Sequence, residues 1–84
     1  MLNQIPVGLF DELLKGLNLI YHDQLLGVLL LKYSARSEQV GEPSLDILIV
    51  LKGFEHYSVE VERTRNLIGN LYRKFGVSIN QIFV

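Results

Sequence analysis

Two short apolar runs set the strongest limit on how this chain folds. Residues 25–33 begin Leu25-Leu26-Gly27-Val28-Leu29-Leu30-Leu31 and residues 45–51 read Leu45-Asp46-Ile47-Leu48-Ile49-Val50-Leu51. Both are strand-sized, and both are apolar at nearly every position rather than at alternate ones. A strand with that pattern needs cover on both faces of its sheet. Neither run approaches the roughly 18 residues of a membrane-spanning helix. The chain has 84 residues, and Leu, Ile and Val supply 31 of them, which is enough to build a core and excludes intrinsic disorder. That length implies one domain over residues 1–84.

The flanking segments have helical spacing. Ile5, Leu9, Phe10, Leu13, Leu14, Leu17, Ile20 and Tyr21 recur three and four apart, with Asp11 and Glu12 early and Pro6 in the first turn. This predicts a helix over 6–20. Val59, Val61, Thr64, Leu67, Ile68, Leu71, Tyr72 and Phe75 predict a second over 57–75, with Gly76 as its C-terminal cap. Residues 34–44 are polar and carry Gly41 and Pro43, so they read as loop and turn. Residues 77–84 are β-branched and aromatic and predict a third strand.

The order is therefore helix, strand, strand, helix, strand. The expected fold is a small α/β (α+β) domain, a mixed three-stranded sheet with two helices on one face. The second and third strands, joined by a helix, are expected to be parallel. Two short helices leave one sheet face uncovered, which points to a homo-oligomer or a partner chain.

Charge and cysteine content narrow the function. Eight Lys+Arg against nine Asp+Glu give a formal charge of −1, which argues against a polyanion-binding surface such as one for nucleic acid. With no cysteine, disulfide scaffolds and cysteine-zinc sites are excluded, and the composition suits a cytoplasmic protein. The N-terminus lacks a basic segment ahead of its apolar stretch and does not read as a signal peptide. His22 and His56 have no metal-ligand neighbours in sequence and read as solvated. Arg63, Arg65, Arg73 and Lys74, balanced by Glu55, Glu60 and Glu62, read as a solvated helix face. Tyr33, Tyr57 and Tyr72 read as packing residues, and no serine has a defensible His–Asp partner.

One residue contradicts its surroundings. Asp46 is the only charge in a seven-residue apolar strand, and such a carboxylate must be solvated, paired or bound to a metal. A hard cation such as magnesium takes oxygen ligands, and carboxylates at i and i+2 on a strand share a side. The residue at i−2 is Ser44, which brings no second charge.

With Asp46 in place, the chain resembles the nucleotidyltransferase domain of the DNA-polymerase-beta superfamily, in particular its small stand-alone members. Their pattern is a strand ending in Gly-Ser, then Ala-Arg-Gly, a variable turn, and Ser-Asp-x-Asp on the next strand. Here Ala35 and Arg36 stand at the Ala-Arg pair and Asp46 at the second aspartate. Lys32 and Tyr33 stand at Gly-Ser, Ser37 at the following glycine, Pro43 at the motif serine and Ser44 at the first aspartate. A one-residue gap offers Ser34 as the first serine. Near the third carboxylate stand Ile79, Asn80 and Gln81, with no acid.

The resemblance implies a nucleotidyltransferase-like fold across nearly the whole chain. It implies Asp46 as catalytic metal ligand, and Lys32, Tyr33, Ser34, Arg36 and Ser44 around the nucleotide. Typical relatives continue beyond the third strand. The departures all fall on the chemistry, and losses of catalytic groups cost orders of magnitude in rate. The expectation is a pseudoenzyme without cofactor that acts through protein–protein association, as partner of a helical protein in a toxin–antitoxin-like pair. The alternative is an active transferase using Mg and ATP, moving AMP to a protein or small-molecule hydroxyl, with Glu42 as substitute ligand.

Overall fold

A computed structural model describes residues 5–34 and 42–84. Helix α1 spans Leu9–Tyr21 and ends in a short 3₁₀ turn, His22–Gln24. Strand β1 (Leu25–Ser34), strand β2 (Ser44–Leu51), helix α2 (Tyr57–Phe75) and strand β3 (Ser78–Phe83) follow. The order is the one the apolar pattern predicts. The sheet runs β1-β2-β3, with β1 antiparallel and β3 parallel to the central β2.

Burial along β2 alternates strictly. Leu45, Ile47, Ile49 and Leu51 are buried, while Ser44, Asp46, Leu48 and Val50 are partly exposed. The buried set meets Leu9, Leu13, Leu17 and Tyr21 of α1, Leu71 of α2, and Ile79 and Phe83 of β3 in one core. Both helices therefore lie on one face of the sheet. Among the described residues nothing covers the other face, where Leu29 and Ile82 stay exposed.

The helices pack closely enough that a Cβ on Gly16 would stand 2.3 Å from Leu67 Cδ1, so only glycine fits there without moving Leu67. A bond from Lys74 Nζ to Glu12 links the helices at their other end. Helix α1 starts at Leu9 rather than residue 6 because Gly8 adopts a left-handed conformation, φ 89°, at the N-cap. Gly76 caps α2 as expected, with φ 71° and its N–H donated to the Tyr72 carbonyl.

The inward stripe of α2 differs from the predicted one. Val59 and Val61 are exposed, and Glu60 takes the buried position one turn before Thr64. Its Oε1 accepts hydrogen bonds from the Tyr21 hydroxyl (2.7 Å) and Arg63 Nε (3.2 Å). Glu60 is thus a core residue joining α1 to α2, not part of a solvated face. No helix of the described residues is long and apolar enough to cross a membrane.

Candidate functional site

Asp46 projects from the open face of the sheet, because its neighbours Leu45 and Ile47 point into the core. Lys32 lies directly across from it on β1 and Asn80 directly across on β3. Ser34 and Ser44 face each other one step further along, and Ser78 pairs with Ser44. The open face is therefore polar at this end. Toward the other end it becomes apolar, with Leu29 opposite Leu48, Gly27 opposite Val50, and Ile82 beside Leu48.

A break in strand register brings Lys32 to this face. Leu30 pairs with Ile47 and so shares the helix side of the sheet, though it stays exposed, yet Lys32, two residues on, pairs with Asp46. Leu31 is the extra residue of a bulge, and it reverses the alternation. The same bulge turns Tyr33 the opposite way. Tyr33 pairs with Leu45 and packs against the core. Of the residues expected around a nucleotide, Lys32, Ser34 and Ser44 share a face with Asp46, Tyr33 does not, and Arg36 lies outside the described residues.

The Asp46 carboxylate accepts a hydrogen bond from the Asn80 side-chain amide at 2.8 Å. Asn80 thus occupies the position on the adjacent strand from which another carboxylate would face a shared cation, and it presents a neutral donor instead. Lys32 and Asp46 form no ion pair with each other within the chain. Glu42 is turned elsewhere. Its Oε1 accepts the Tyr72 hydroxyl at 2.8 Å, which holds the Tyr72 phenol above its ordinary pKa. Among the described residues no group of three His, Asp or Glu side chains is placed to hold a metal.

Tyr57 is exposed, sets its ring edge-on to Phe83 and donates its hydroxyl to the Gln81 carbonyl (2.8 Å). His22 and His56 are exposed, as their sequence context predicts. A groove of about 460 Å³ lies between α2 and β3, lined by Tyr57, Val61, Arg65, Ile68, Ile79 and Gln81 among others. Asn80 also lines it, whereas Lys32, Ser34, Ser44 and Asp46 do not. The Asp46–Asn80 pair was reachable from sequence only through strand register, because the residues lie 34 apart. Comparison with known proteins adds no relative: no family model, curated protein or solved structure matches this chain.

Proposed function

We propose that this chain is a nucleotidyltransferase-like domain that does not catalyse transfer and acts by protein–protein association through the open face of its sheet. One observation carries the reading: Asp46 is partnered by the Asn80 amide at 2.8 Å, not by a second acid. A site that activates a hydroxyl on a triphosphate gathers several oxygen ligands around its cations, and their combined negative charge holds the metals. Here Ser44 and Asn80 flank Asp46 where acids would be needed, and both are neutral. The amide satisfies the carboxylate without a metal, through a charge-assisted hydrogen bond.

The apolar half of the same face supports association. Leu29 and Ile82 are 54% and 47% exposed, on a sheet whose opposite face is already covered by two helices. The expected occupants are a helical protein, which the family resemblance implies, or a second copy of the chain.

Thermal unfolding tests the loss of catalysis. Anything that binds only the folded state raises its stability by about 2.7 kcal/mol at a hundredfold excess over Kd. The melting temperature is expected to stay unchanged in millimolar magnesium and ATP. The double variant Ser44→Asp, Asn80→Asp should melt lower without cation and regain several degrees with magnesium. A magnesium- and ATP-dependent rise of several degrees in the unaltered protein would overturn the reading.

A further inference from the structure

On the open face, cross-strand register sets one lysine against one aspartate and apolar residues against apolar ones. Lys32 on β1 stands directly across from Asp46 on β2, and Leu29 stands directly across from Leu48. Gly27 faces Val50 and Ser34 faces Ser44 in the same way. A two-fold axis laid over the face, parallel to the strands and midway between β1 and β2, exchanges the members of every one of these pairs. A second copy placed by that axis would set Lys32 of each copy over Asp46 of the other, and Leu29 of each over Leu48 of the other. Stacked sheets lie about 10 Å apart, a gap that a lysine and an aspartate together span. The face is therefore complementary to itself in charge and in apolar pattern, as a two-fold interface requires.

We propose that the open sheet face seats a second copy of this chain, stacked face to face about that axis. The proposal rests on the reading that the domain acts by protein association, and it names the partner. Two overlapping strands per copy make a small contact, below the roughly 800 Å² per partner of a standard interface. The dimer is accordingly weak and depends on concentration, salt and the two reciprocal ion pairs.

Sedimentation velocity without nucleotide tests it. Over about 10 μM to about 1 mM, a range suited to contacts of this size, the unaltered chain should rise from 9.6 kDa toward twice that mass. Lys32→Asp makes both facing charges negative, and Asp46→Lys makes both positive. Each variant alone should associate at least about tenfold more weakly, since like charges then face across the contact. An equimolar mixture of the two should recover the dimer, because each then supplies the charge the other lacks. Circular dichroism establishes that the variants are folded. If Asp46→Lys unfolds on losing its bond to Asn80, Leu29→Glu at an exposed position replaces it and should also dissociate the dimer.

A chain that stays at 9.6 kDa at every concentration overturns the proposal and leaves the face to a different partner. Folded single variants that dimerise like the unaltered chain, or a folded mixture that does not recover, also overturn it. The reading that the domain has lost catalysis stands or falls separately, on magnesium-dependent nucleotide binding.

Discussion

Ile47→Ala is expected to cost about 3–4 kcal/mol, while Leu48→Ala on the next residue costs under about 1.5 kcal/mol. The two side chains have the same composition and sit on one strand. Ile47 is fully buried beneath the helices, so its truncation removes transfer energy and leaves a cavity. Leu48 is on the open face and partly exposed, so water fills much of the space it vacates. In a domain of this size about 1 kcal/mol moves the melting temperature by 4–8 °C, so Ile47→Ala should melt roughly 15–25 °C lower. Dilute protein must be used, so that association through Leu48 does not enter the comparison. Equal losses at the two positions would contradict the one-sided placement of the helices.

Glu60→Ala is expected to cost about 2–3 kcal/mol, the second largest loss. The alanine would leave the Tyr21 hydroxyl unpaired in the core, and an unsatisfied buried donor costs about 1–3 kcal/mol. Tyr21→Phe should cost less, about 1 kcal/mol, because Glu60 keeps Arg63 as partner. The two substitutions share one hydrogen bond, so the double variant should lose less than the sum of the singles.

The same pair sets the alkaline limit. Burial, reinforced by the neighbouring Glu60 carboxylate, raises the Tyr21 phenol above its ordinary pKa of 10.0. The folded state therefore favours the protonated phenol. Its contribution is complete below pH 10 and is lost as pH rises from there toward the folded value. Unfolding curves collected across that range should fall more steeply for the unaltered protein than for Tyr21→Phe.

The strands were legible because their apolar runs are continuous. Residues 25–33 and 45–51 predict β1 and β2 to within one residue, and 57–75 predicts α2 without error. The start of α1 was not legible, since nothing in the spacing of Leu9, Leu13 and Leu17 requires Gly8 to be left-handed. Glu60 departs from its sequence pattern for a physical reason. Its charge suggests solvent, but the stripe through Thr64 and Leu71 reaches it one turn earlier, and Tyr21 supplies the donor that permits burial.

The candidate site was legible in part. An aspartate alone in an apolar strand stood out, and it does lie on the uncovered face. Which residues join it was hidden by the bulge at Leu31. Simple alternation from Leu30 would send Lys32 into the core and Tyr33 to the open face, and the bulge does the reverse. Asn80 became a partner only through the parallel register of β2 and β3.

Loss of the metal–nucleotide site is tested most sharply residue by residue. Backbone amide shifts of the protein would be recorded by NMR during titration with ATP, with and without magnesium. No magnesium-dependent shift is expected at Lys32, Ser34, Ser44, Asp46 or Asn80 at millimolar nucleotide. Shifts clustered on those residues and abolished by removing magnesium would contradict it, and would make Asp46 a metal ligand.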